Sequence, residues 1–129
     1  MTGTGPINHM SLFIKDLVES IPLLSTGIKV SVVGVAVDVI NPDYDLHPNR
    51  PLTVSLDDGT GVIKCVLFRH REQPHLADIK IGDCFLARGL VGQYFEQTQI
   101  KCDVLKVVDD PNFETFWVNK VLVEKKMRK

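Results

Sequence analysis

From Ile28 to Ile40 the chain reads Ile-Lys-Val-Ser-Val-Val-Gly-Val-Ala-Val-Asp-Val-Ile. β-Branched side chains crowd a helical turn but fit a pleated surface, so this run is expected to be a strand. Gly34 has no side chain to pack and marks a bend in its middle. A strand this long, bent at its centre, suits a sheet that curls back on itself.

The remaining segments supply its neighbours. Leu52 to Leu56 and Val62 to Arg69 read as two short strands around Asp57-Asp58-Gly59-Thr60-Gly61, a hairpin turn whose glycines tolerate positive φ. Asn41 to Pro51 is rich in proline, which cannot donate to a ladder, and is expected to be an exposed loop. A polar connector from His70 to Asp78 and the turn Ile81-Gly82-Asp83 lead into two further strands, Cys84 to Gly92 and Tyr94 to Val108. Residues 1–10 are expected to form a flexible arm, with a short packing segment of mixed periodicity from His9 to Ser20. Asp110 is placed as an N-cap with Pro111 in the first helical position, and Phe113, Trp117 and Val121 recur at helical spacing, which predicts a helix over 111–127. Its basic end, Lys125 to Lys129, complements the helix dipole.

The pattern predicts a mainly β fold, a five-stranded OB-fold barrel with a C-terminal α-helix, filling residues 11–129 as one domain. An SH3-like barrel or small sandwich has the same number of strands. Either accounts less naturally for the long first strand and the terminal helix. A chain of 129 residues is long enough for one core and short for two.

Charge and composition narrow the function. The net charge is −1 and the pI about 6.4, so no global basic field draws the molecule onto nucleic acid and any such site must be local. Cys65, Cys84 and Cys102 lack CxxC spacing and sit in apolar runs, as expected of reduced, buried thiols in a reducing compartment. No apolar stretch approaches the ~20 residues that span a bilayer, and the first residues lack a signal-peptide pattern, so a soluble intracellular protein without membrane contact is expected. His47, His70 and His75 match no zinc spacing with the cysteines, and no metal or other cofactor is expected. The carboxylate pairs Asp57-Asp58 and Asp109-Asp110 have simple uses in a turn and at a helix start, and no phosphate-cradling GxxxxGK[ST] occurs. Neither an enzyme nor a small-molecule substrate is expected.

The segment Leu56-Asp57-Asp58-Gly59-Thr60-Gly61-Val62-Ile63-Lys64-Cys65-Val66-Leu67-Phe68-Arg69 resembles the hairpin of OB domains from the middle subunit of replication protein A and its telomeric relatives. Ile81-Gly82-Asp83, Arg88-Gly89 and Lys106-Val107-Val108-Asp109-Asp110-Pro111 follow in the same order. Together they look most like the RPA-like OB subunit of the CST telomere-capping complex, from about Leu12 to Glu124. Two departures stand out. Phe68 occupies a position where the family usually has Trp, and the family's C-terminal winged-helix domains are not among these residues.

Strand alternation turns Ile63, Cys65 and Leu67 to one face and Lys64, Val66 and Phe68 to the other. The second face, with Arg69, combines a ring for stacking bases with cations for phosphates, which is what single-stranded nucleic acid requires. Family position adds Tyr94 and Lys101, and a bulge near Gly92 would decide whether Tyr94 or Phe95 faces outward. In the related subunits the terminal helix packs against a second, smaller OB subunit. Phe113, Phe116, Trp117, Val121 and Leu122 span enough of the helix to meet both the barrel and such a partner.

The resemblance thus implies a nuclear subunit at chromosome ends that binds single-stranded DNA weakly and docks a small OB-fold partner within a larger telomere-capping complex. A protein-interaction adaptor that uses no nucleic acid, or a replication or repair subunit without telomeric specificity, fits the same residues.

Overall fold

The structure, a computed structural model, describes residues 9–19, 29–40, 50–68, 79–94 and 97–127. In chain order the elements are β1 (His9–Ser11), α1 (Ile14–Glu19), β2 (Lys29–Ile40), β3 (Leu52–Asp57), β4 (Val62–Leu67), β5 (Cys84–Tyr94), β6 (Gln97–Val107) and α2 (Phe113–Met127). The strands run in the order β1-β2-β3-β4-β6-β5, and β5 pairs back onto β2, so the five long strands close a barrel. This is the expected OB-fold barrel with its C-terminal helix.

β2 is the strand that makes closure possible. Its first half, Lys29 to Val35, pairs antiparallel with β5, whereas Val35 to Ile40 pairs antiparallel with β3. The exchange of partners occurs beside Gly34 and is followed by a register shift between Ala36 and Asp38, the kind of irregularity that bends a strand around a barrel corner. A Cβ on Gly34 would lie 3.0 Å from the carbonyl carbon and oxygen of Asp57, so the close approach of β2 to the end of β3 depends on the missing side chain.

The core lies inside the barrel. Val30, Val32, Leu52, Val54, Leu56, Ile63, Phe85 and Ile100 are almost completely buried, and Leu12, Ile14 and Leu17 cover one end. Cys65 and Cys102 belong to this core as free thiols. The neighbouring Cys102 thiol and burial together push the Cys65 thiol well above its ordinary range, which keeps it protonated.

Several details differ from the sequence reading. His9 and Met10, expected within the flexible arm, belong to β1, which pairs in parallel with Lys29 and Val30. The segment after it resolves into this short strand and a six-residue helix held from a distance. Ile14 N donates to Asp58 Oδ2 at 2.8 Å and Lys15 N donates to Thr60 Oγ1 at 3.1 Å, so the β3–β4 turn caps the start of α1. The same turn is braced internally, with Gly59 N donating to Asp57 Oδ1 and Thr60 N to Asp58 Oδ1. Asp57 and Asp58 therefore have structural work.

Asp110 opens a turn instead of capping the helix directly. Its Oδ1 accepts from Asn112 N at 2.9 Å and its carbonyl from Phe113 N at 3.0 Å, and the first helical bond runs from Phe116 N to the Asn112 carbonyl. The helix thus begins two residues later than predicted, with Asn112 in the N-cap position.

The register shift between β5 and β6 lies at Arg88/Gly89 opposite Asp103, not at Gly92, which pairs regularly with Gln99. Asp103, left over by the bulge, forms ion pairs with Lys29 and, at 3.6 Å, with Arg88 Nε. Partial burial works to raise the Asp103 carboxyl, but Lys29 and then Arg88 outweigh it and hold it below the usual carboxylate range. A carboxyl lowered in the folded state stabilises the fold above its unfolded pKa, and that contribution disappears as pH falls through the folded value. Stability should therefore decline on acidification below about pH 4. The Asp103→Asn protein should show a flatter acid limb in urea midpoints taken against pH. An unchanged limb would remove Asp103 from the account.

Candidate nucleic-acid interface

β4 delivers the alternation expected of it. Ile63, Cys65 and Leu67 are buried, Lys64 and Val66 are half-buried on the opposite face, and Phe68, just past the strand, is 52% exposed. A parallel pairing to β6 sets Lys64 beside Gln99 and Val66 beside Lys101. Lys101 then reaches across, its Nζ 5.5 Å from the centre of the Phe68 ring, a cation–π contact at the surface.

These residues line a groove of about 550 Å³, whose walls also include Pro51, Thr53, Gln93 and Gln99. The volume falls within the roughly 300–1,000 Å³ of ligand-binding clefts. Its chemistry is an exposed ring, an apolar floor, one ammonium group, two amides and a hydroxyl. A ring face stacks any base, an ammonium pairs with phosphate, and amides and hydroxyls hydrogen-bond base edges.

Of the expected DNA-contacting residues, Val66, Phe68 and Lys101 meet in this groove. Lys64 lies on the same strand but lines an adjacent depression of about 320 Å³ with Val18, Val62 and Gln97. Arg69, the connector after it, the Tyr94 side chain and Phe95 lie outside the described residues. The Tyr94 backbone does correct the strand assignment. It ends β5, paired with Gln97, and does not begin β6. Sequence reasoning missed Pro51, Thr53, Gln93 and Gln99. Only the barrel's strand order, which places β4 between β3 and β6, brings them together.

The second expected surface is divided by the structure. Trp117 and Val121, 5% and 0% exposed, pack with Val33 against the barrel, and Phe113 packs beside them with Phe13, Cys84 and Leu86. The Phe113 and Trp117 rings stack at 6.3 Å. Trp117 and Val121 are thus corrected from partner contacts to core, because a helix over an open barrel flank buries its own stripe first. The helix is further tied down where Ser11 N donates to Glu124 Oε1 at 3.0 Å and Lys125 pairs with Asp16 at 3.0 Å. Phe116 and Leu122 remain exposed at 57% and 50%. Val123 and Met127, which sequence reasoning passed over, are also exposed and follow Phe116 at positions i+7 and i+11. At 3.6 residues per turn these lie on one side of the helix and form an uncovered apolar stripe.

Residues 30–108 match the family described as an OB-fold nucleic acid binding domain. No curated protein matches the chain. Among solved structures it is similar to yeast Stn1 and Ten1, at a TM-score of 0.71 and 16% identity over 98% of this chain and 76% of that one. The S. pombe Stn1–Ten1 complex gives 0.63 and 16%, over 76% and 71%. A replication protein A heterotrimer bound to single-stranded DNA gives 0.63 and 15%, over 77% and 72%. Identities this low establish a shared fold.

Proposed function

The chain belongs to the family of OB-fold nucleic acid binding domains, and we propose that it is a telomere-associated subunit that binds single-stranded DNA and docks a smaller OB-fold partner at chromosome ends in the nucleus. The observation that carries the first half is the groove in which Phe68, Val66 and Lys101 meet. Phe68 is the stacking platform. Lys101, parked over the ring in the free protein, moves to a phosphate when a base takes its place, and Lys64 holds the next phosphate along. The fold shared with Stn1 and Ten1 and with single-stranded DNA-bound replication protein A supports this reading. The second half rests on the exposed stripe of Phe116, Val123 and Met127 with Leu122 on its flank. A helix already anchored to its own barrel offers a second helix a rigid apolar ridge.

The test is a fluorescence titration with a labelled G-rich telomeric repeat and a scrambled strand, at several salt concentrations. Removing the ring in Phe68→Ala should cost about 1–3 kcal/mol, or roughly 5- to 150-fold in affinity. With two cations at the site and ~0.7 counterions released per phosphate, log affinity should fall with log salt at a slope of about −1.4. Equal affinity of the folded Phe68→Ala protein would reject this groove. Salt-dependent binding without preference for the repeat would keep the DNA site and remove the telomeric assignment.

A further inference from the structure

The surface beside Lys101 continues the chemistry of the groove. A ladder row runs sideways from it, with Lys101 of β6 opposite Leu90 of β5 and Leu90 opposite Lys29 of β2. Residues directly opposite in an antiparallel pair send their side chains to the same face, so Leu90 and Lys29 share the outer surface on which Lys101 lines the groove. Two strand spacings, about 10 Å, separate Lys29 from Lys101. Leu90, between them, is 41% exposed and offers an apolar step from one cation to the next.

Next to this row the bulge in β6 supplies an anion. Asp103 is the extra residue at the register shift opposite Arg88/Gly89, and its carboxylate turns one oxygen to Lys29 and the other to Arg88. The two cations reach it from different strands, and together they leave one positive charge uncompensated. All three side chains are open to solvent, Lys29 at 43%, Arg88 at 44% and Asp103 at 41%. The Arg88 contact, at 3.6 Å, is too long for a hydrogen bond, and ion pairs this exposed add little to stability. Asp103 is also the single carboxylate along β5, β6 and the half of β2 that pairs with β5.

We propose that a single strand of nucleic acid runs on from the groove over Leu90 and sets a further phosphate between Lys29 and Arg88, a place that the Asp103 carboxylate fills in the free protein. This extension rests on the reading of the groove as a nucleic-acid site. A phosphate offers the guanidinium a fork of oxygens and the ammonium a full charge. It also arrives tethered to nucleotides already held at Phe68 and Lys101, so it competes at a high local concentration. The carboxylate gives up only two exposed pairs and turns to water. Asp103 therefore sets the footprint: a short strand occupies the groove alone, and a longer one gains the second contact against an internal competitor.

The experiment titrates the full chain with labelled oligothymidylates of about 4 and about 16 nucleotides, the two ends of the footprint of an OB fold. Log affinity for the long strand should fall with log salt more steeply than for the short one by about 0.7, the mark of one extra phosphate. Lys29→Gln should cancel that difference and weaken the long strand alone, and Lys29→Arg should restore both. Asp103→Asn should raise long-strand affinity about three- to tenfold and leave the short strand unchanged, because the competing carboxylate is gone. Asp109→Asn, which removes the same charge past the end of β6, controls for overall charge and should change neither. Short-strand binding with a long strand indifferent to Lys29 would overturn the extension and keep the groove, whereas failure of the short strand to bind would remove both. Equal gains in the Asp103→Asn and Asp109→Asn proteins would also overturn it. So would an oligoglutamate peptide that binds through Lys29 when the long strand does not, because the occupant would then be an acidic protein segment.

Discussion

The Gly89→Ala protein is expected to lose about 3 kcal/mol of stability or more, which is a large share of the roughly 5–15 kcal/mol that holds a domain together. The reason is geometric. An alanine Cβ at this position would lie 2.0 Å from the Lys101 carbonyl oxygen, 2.7 Å from its carbon and 2.8 Å from the Cys102 Cα. All three atoms are backbone of β6, so no rotamer change relieves the clash and the strand itself must retreat. β6 is held on its other side by β4, and the bulge at Asp103 already uses the local slack. Urea unfolding followed by circular dichroism should show the midpoint falling steeply. Gly92→Ala, three residues on, is the control. Its added methyl meets nothing within 4 Å, and its midpoint should stay close to that of the parent. Equal midpoints for the two proteins would mean that β5 and β6 do not approach as closely as described.

Trp117→Ala should rank next, at about 3–5 kcal/mol, the usual cost of emptying a large aromatic site. The loss should be local. The indole joins Val33 of β2 to Val121 of α2, stacks on Phe113 and lies under the Lys120 ammonium at 5.5 Å, so its removal takes away most of what seats the helix. Hydrogen exchange should speed up across α2 first, while barrel amides such as those of β2 and β3 keep most of their protection. Trp117→Phe separates packing from polarity. It keeps a ring in place and removes the N–H that has no acceptor among the described residues, so it should cost far less than the alanine change. Comparable losses in the two variants would mean that the indole N–H is satisfied and contributes to holding the helix.

Much of this architecture is legible in the linear sequence where one face of an element is buried and the other is wet. The alternation in β4 placed Val66 and Phe68 on a common outer face because a period of two leaves only two registers. The stripe Phe113, Trp117, Val121 announced α2 in the same way. What escaped was non-local or too short to show a period. β1 and α1 span three and six residues, less than the window over which periodicity is read. The caps of α1 come from Asp58 and Thr60, over 40 residues away. The bulge at Arg88/Gly89 moved because the strand run was read as ending at Gly92, whereas Gly92 and Tyr94 continue the ladder to Gln99 and Gln97. For the groove, the ring and the lysine were legible from alternation and family position. The amides of Gln93 and Gln99 were not, since nothing local in β5 or β6 marks them as neighbours of β4. On α2, the question of which apolar residues meet the barrel was decided by Val33 and Leu86, which lie in other strands.

The barrel is not equally well sealed around its girth. β5 and β6 are laced together from Phe85 to Tyr94, but β4 and β6 meet only from Lys64 to Val66, and in the parallel arrangement that pairs less strongly. This short seam is also the floor of the groove, with Val66 on one lip and Lys101 on the other. Transient parting of the two strands is therefore the cheapest opening motion available to the barrel, and it pulls the groove apart. On the proposed function, a strand of DNA laid across the seam would act as a stitch. Part of its binding free energy would then go into holding the barrel closed, and whatever loosens the seam would weaken binding without touching a contact residue.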